Sequence, residues 1–265
     1  MAAAAELAFL ACLRETCRPV LARRTGAVAS PPSSSSVGRV LESSLRPVIM
    51  LSGSGVLMAV CLFSGVYFSF AYIISVTLPD ILETVYGQPL AVQGPAFLSC
   101  SVGYCLSVIL CNRTLDRTYI RLRKANNGVG LPEFRLPLAI VGALSLPVAV
   151  LLYGCVPQLR LPLPVMLLSA ALLAATLLLA TLPTMAYVVD AFNGYPASAM
   201  TGLIFVRSLS STFLPFLASP LITRFGYARG FGVLSALCLC LCPIPMLVMR
   251  YGPKWRQRSE YSRDA

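Results

Sequence analysis

Apolar residues fall in six long runs separated by short polar or basic breaks, at about 48–78, 91–111, 136–155, 163–189, 197–221 and 230–249. The hydrocarbon core of a bilayer is about 30 Å thick, so a helical span needs roughly 20 mostly apolar residues. Each run meets that length, and the fourth contains LLSAALLAATLLLATL. An open sheet in lipid would leave its edge amides unpaired, so helices are the expected element. Arg46-Pro47 and Pro79-Asp80 bracket the first run, and the pattern predicts that this span ends at the second pair. The expected architecture is an all-α polytopic membrane protein with six transmembrane helices.

Outside the runs the chain changes character. Residues 2–13 are apolar but too short to span alone, and Glu6 with no preceding positive segment argues against a cleaved signal peptide. From Arg14 the sequence turns polar, and Pro31-Pro32 with Ser33 to Ser36 reads as a linker. The expected organisation is a short apolar stretch at 1–13, a cytoplasmic linker at 14–47, a six-helix domain at 48–250 and a basic cytoplasmic tail at 251–265.

Charge orients the spans. Lys and Arg concentrate in cytoplasmic loops. Seventeen of them fall before span one, between spans two and three, or after span six, against three (Arg160, Arg224 and Arg229) on the other side. Both ends are therefore expected in the cytoplasm, which requires an even number of spans. Asp80 and Glu83 then face outward, and the sequon Asn112-Arg113-Thr114 faces the cytoplasm, where it escapes glycosylation.

Composition narrows the function. The 265 residues are 57% hydrophobic and 12% charged, with a mean hydropathy of +0.78 and a net charge of +11. A globular domain is typically about 25% charged, so this chain needs lipid as its solvent, and the positive charge marks topology rather than nucleic acid. Histidine is absent, which removes the usual general base and metal ligand. Eight of the ten cysteines lie in or beside the apolar runs, where a thiol packs as a small hydrophobe. The run Cys238-Leu239-Cys240-Leu241-Cys242 alternates and cannot set all three sulfurs on one helix face, so no metal site is expected. No Ser-His-Asp set and no Walker loop occurs. An enzyme is not expected, nor a cofactor.

The segment DRTYIRLRKANNGVGLPEFRLPLAIVGALSLPVAVLLYG, from Asp116, resembles the cytoplasmic loop and following helix in the C-terminal half of fungal major facilitator superfamily exporters. The similarity continues through LPTMAYVVDAF (Leu182 to Phe192), YPASAM (Tyr195 to Met200), VRSL (Val206 to Leu209) and FLP (Phe213 to Pro215). LRETCRPVLARR, from Leu13, is similar to the end of the family's sixth helix and the start of its long central loop. The resemblance implies that the six spans are helices seven to twelve of a twelve-helix drug:proton antiporter, built from two inverted three-helix repeats. It makes residues 1–13 the end of a truncated transmembrane helix. It implies an exporter of small amphipathic molecules in the plasma membrane, whose N-terminal half lies outside this chain. It also implies a cytoplasmic charge lock at Asp116 and Arg117, although Asn112 stands where the family has glycine. Without the resemblance, those two residues read simply as part of a positive loop.

Several polar residues within the spans are candidates for a substrate pathway or gate. Arg207 lies about ten residues into span five, about 15 Å deep at 1.5 Å per residue. An Arg at the centre of a span costs about 2.5–3.5 kcal/mol, so it must face water, a substrate or a partner group. Pro183, Tyr187 and Asp190 follow at steps of four and three along one stripe of span four. Asp190 reads as a gate or interhelical contact, and pairing with Arg207 would require the Arg to snorkel. Tyr67 and Tyr72 lie about 140° apart on span one, so at most one points into a given groove. Gln93, Ser210, Ser211 and Thr212 are expected to hydrogen-bond between helices, and Gly226 with Gly230 to form a small-residue contact entering span six. Rival readings are a non-transporting remnant and a membrane scaffold that pairs with a full transporter or with a second copy.

Overall fold

The computed structural model describes residues 47–256; the expectations for 1–13, for most of the linker and for the end of the tail lie outside the described residues. After a helical turn over residues 47–53, the elements are α1 (Gly55–Thr84), α2 (Leu90–Ala125), a 3-10 turn (Pro132–Arg135), α3 (Leu136–Gln158), α4 (Leu163–Ala191), α5 (Pro196–Phe225), α6 (Tyr227–Leu241) and α7 (Pro243–Arg256). Six stretches are long and apolar enough to cross a membrane, α6 and the first part of α7 together making the sixth. No strand occurs among the described residues.

Local chemistry sets the helix ends. Ser54 caps α1 by accepting the Leu57 amide, a common use of serine at that position. Proline opens α3, α4 and α5 within their first two residues, where its missing N–H costs nothing. Gly226, at φ +80°, makes the sharp joint between α5 and α6. It is a turn residue that also lies close to the Gln158 side chain, while Gly230 packs against Ile222.

Two boundaries differ from the sequence expectation. Helix α1 runs straight through Pro79 to Thr84 instead of stopping there. Proline inside a membrane helix is tolerated when neighbouring elements cover the freed backbone. Helix α2 continues 14 residues beyond Cys111, so the basic segment expected to be a loop is helical as far as Ala125. Arg, Leu and Lys are good helix formers, and the run from Arg113 to Ala125 is rich in them.

Helices α1 and α5 pack as one close pair, and α2 and α4 as another; α3 lies against α4 and α6. If α1–α3 is matched to α4–α6, the first two pairs exchange, as expected of two related three-helix repeats. Small residues allow both approaches. A Cβ added at Gly65 on α1 would meet the Ser210 hydroxyl on α5 at 2.7 Å, and one added at Gly103 on α2 would collide with the Ala171 carbonyl on α4. Gly142 on α3 similarly abuts the α4 backbone at Ala180.

The main apolar core holds Phe63, Tyr67, Phe70, Tyr153 and Phe231, with the Tyr153 and Phe231 rings edge to face at 5.1 Å. A second cluster, around Tyr187, Val188 and Phe192, closes the basic end of the bundle. At the opposite end, Tyr227 donates to Asp80 at 3.0 Å, and the Tyr86 hydroxyl donates to the Leu161 carbonyl at 2.6 Å. Burial pushes the Tyr86 hydroxyl pKa up.

Candidate functional site

The helices are unequally covered. Within the apolar windows 61% of α1 is buried, but only 28% of α2 and 17% of α5. Helix α5 is also unusually polar for so exposed a helix. Its open side carries Ser208, Thr212 and Ser219, at offsets of 4 and 11 that fall on one stripe.

Between α1 and α5 the surface opens into a cavity of about 540 Å³, lined by Tyr72, Val76, Ser208, Ser211, Thr212 and Phe216 among others. A second cavity of about 350 Å³ shares Val76, Pro215 and Ser219 with the first and continues to Thr77, Asp80 and Thr223. Together they form one groove that starts beyond the Gly65–Ser210 crossing and ends beside Asp80. The two helices touch at the small residues and splay beyond them.

Arg207 precedes the lining residue Ser208 on α5 and packs on Phe68, one turn before the lining residue Tyr72, so it stands beside the groove and is not part of its lining. Its guanidinium lies over the Phe68 ring at 3.9 Å, and Phe68 in turn meets Tyr72 edge to face at 6.1 Å. A cation over an aromatic face gains about 0.5–2 kcal/mol, which offsets only part of the cost of placing an Arg at this depth. Among the described residues no carboxylate lies within ion-pair distance of it. Asp190 is not its partner: that carboxylate accepts a charged hydrogen bond from Arg135 in the 3-10 turn. Arg135 sits at the level of Asp190, so the pair forms without the snorkelling Arg207 would need. The Arg135 guanidinium also lies 5.4 Å from the Tyr119 ring centre on α2, so three segments meet at this joint.

The two tyrosines of α1 separate as their 140° offset requires. Tyr72 opens into the groove, whereas Tyr67 is fully buried, its hydroxyl directed to the carbonyls of Ala143 at 3.0 Å and Cys238 at 3.1 Å. Tyr67 thus ties α1 to α3 and α6 and does not reach the groove. Tyr187 is also fully buried, and Gln93 is buried near the start of α2. Pro183 faces a separate cavity of about 290 Å³ that it shares with Asn112 and Asp116, so α2 and α4 meet where the basic signature lies. Asp116 and Arg117 occupy the exposed surface of helical α2, not a loop.

Phe68, Phe216 and Arg135 were not singled out from sequence. The first two read there as ordinary apolar residues of a span, and Arg135 as one of many topology-setting charges. Cys238 and Cys242 are buried while Cys240 is exposed, and no cluster of metal-ligating side chains occurs among the described residues.

No protein-family model matches the chain. It is similar to curated fungal proteins named as transporters. It is 28% identical over 221 residues to "MFS transporter cpaT" of Aspergillus oryzae, covering 83% of this chain and 45% of the relative. It is 30% identical over 261 residues to "MFS-type transporter oryF" of Aspergillus oryzae, covering 94% and 54%. "Efflux pump vrtL" of Penicillium aethiopicum is 27% identical over 227 residues, covering 84% and 44%. The chain thus spans about half the length of the curated relatives it matches, and those relatives bear the names of transporters, not enzymes.

Proposed function

From the premise that this chain is a homologue of fungal major-facilitator transporters, with the six spans of a C-terminal half, we propose that it forms one wall of an efflux pathway for small amphipathic molecules. The observation that carries the reading is the hydroxyl-lined groove between α1 and α5, with Arg207 beside it on α5. A helix facing acyl chains has no use for an arginine and a row of hydroxyls at that depth. A helix facing an aqueous, substrate-bearing cavity does. The opposing wall is supplied by an N-terminal half or by a second copy, which fits the open faces of α2 and α5.

In this reading both termini lie in the cytoplasm, as the count of basic residues favours, and the groove runs from mid-membrane to the outer surface at Asp80. The Arg135–Asp190 pair then closes the cytoplasmic end, together with the α2–α4 contact around Asp116 and Pro183. The complete transporter exports in exchange for protons across the plasma membrane, an assignment supported by the resemblance of its motifs to the drug:proton antiporters.

The test is flux. The chain is reconstituted in vesicles alone and together with an N-terminal half taken from oryF, and efflux of lipophilic fluorescent substrates is followed with and without a pH gradient. Saturable efflux that collapses when the gradient is dissipated supports the reading. Absence of flux in both preparations sinks it, and co-purification with a full-length transporter under those conditions would make the chain a scaffold.

A further inference from the structure

We propose that the α1–α5 groove selects organic acids: its ligand is an amphipathic anion whose carboxylate reaches from Ser211 in the groove to Arg207 beside it, with its apolar body against Tyr72, Val76 and Phe216. This rests on the transporter reading and narrows its substrate class.

Two observations converge on neighbouring turns of α5. Arg207 is half-buried and meets Phe68 through its flat face, which leaves the edge of the guanidinium, where its five N–H donors point. Among the described residues none of those donors reaches a protein acceptor. Four residues on, directly above Arg207 on the helix, Ser211 is only 7% exposed and its hydroxyl has no partner in the protein. A membrane serine or threonine commonly bonds back to the carbonyl four residues earlier; Thr201 and Thr212 on the same helix do so. Ser211 does not.

A cation beside the groove and an unspent hydroxyl lining it thus lie within about one helical turn, next to an apolar wall. A bidentate acceptor with a flat delocalised charge matches a guanidinium edge better than a neutral carbonyl does. The space, about 540 Å³, lies in the range of sites for drug-sized ligands. A lipid headgroup is not the expected source of the anion, because Arg207 lies about 16 Å along α5 from Pro196 at 1.5 Å per residue, below the headgroup layer. The nearest acid along the groove is Asp80, 12 residues from Phe68 on α1 and so about 18 Å away. It is held by Tyr227 and does not neutralise Arg207.

The experiment uses the full chain in phosphatidylcholine nanodiscs, with radiolabelled 2-naphthaleneacetate as probe and the neutral isostere 2-naphthylacetamide as competitor. The acid is expected to compete about tenfold or more better than the amide, the usual margin for a charge-assisted contact to a half-buried cation with no carboxylate partner. Arg207→Gln is expected to erase that margin, Arg207→Lys to keep part of it, and Ser211→Ala to weaken acid binding severalfold. Should Arg207→Gln lose the wild-type circular dichroism, Ser211→Ala and Arg207→Lys carry the test.

Equal competition by acid and amide, an acid preference unchanged in the variants, or no saturable acid binding overturns the proposal. So does competition by added phosphatidylglycerol, which would make the ligand a lipid. Acid binding without vesicle flux leaves this inference standing and defeats the transporter reading. Flux of neutral substrates without acid preference does the reverse.

Discussion

The Tyr67 hydroxyl on α1 donates to the Ala143 carbonyl on α3, the acceptor that Pro147 leaves without its helical donor four residues later. A proline inside a helix removes one hydrogen bond, and in lipid the freed carbonyl has no water to turn to. One phenol hydroxyl repairs that defect and also approaches the Cys238 carbonyl on α6. Substituting Tyr67→Phe is expected to lower stability by about 1–2 kcal/mol, read as a lower midpoint of thermal unfolding in detergent. Adding Pro147→Ala restores the helical donor, so the double variant should recover part of the loss.

Arg135 and Asp190 form a pair about a quarter to a third exposed, so its contribution to stability is small, under about 1 kcal/mol. The closing role proposed for it carries a distinct signature: a large effect on flux with little effect on unfolding. Arg135→Gln and Asp190→Asn should each alter vesicle efflux severalfold, and the double variant should be no worse than either single one. Additive losses in a double-mutant cycle would show that the two residues act independently.

The close helix crossings predict a graded response to added methyl groups. Gly103→Ala and Gly142→Ala drive a carbon into the backbone of α4, which cannot retreat as a flexible side chain does. Overpacking of this kind costs about 1–3 kcal/mol. Gly232→Ala, which meets open space on α6, should be close to neutral. Melting curves of the three purified variants compare them directly.

A hydrated groove can be told from a lipid-facing one by thiol chemistry, because maleimides react with the thiolate and the thiolate needs water. In a cysteine-free background, Thr212→Cys in the groove should label with a water-soluble maleimide. Leu168→Cys, on the open surface of α4 outside the groove, should not. Equal labelling of both would remove the hydrated wall on which the function rests.

Much of the architecture is legible from hydropathy alone, because a span in lipid must be long, apolar and helical. The depth of Arg207 and the divergence of Tyr67 from Tyr72 follow from counting residues on a helix. The partner of Asp190 does not, since Arg135 lies 55 residues away in sequence and pairing across elements is set by packing rather than by local pattern. Pro79 misled for a related reason. Its usual meaning as a helix terminator is a rule of water, where exposed backbone is cheap, and it weakens where leaving the helix costs more than bending it. The groove was visible only as scattered hydroxyls until α1 and α5 were placed side by side.

At 36 residues, α2 is about 54 Å long, against a hydrocarbon layer of about 30 Å. Some 20 Å of rigid, arginine-studded rod therefore stands clear of the acyl chains, continuous with a helix that packs directly on α4. Such a rod behaves as a pointer: a tilt of α2 too slight to resolve at mid-membrane is magnified at Arg121. A spin label there, paired with one on α4, would turn any tilt of α2 against the bundle into a change of distance.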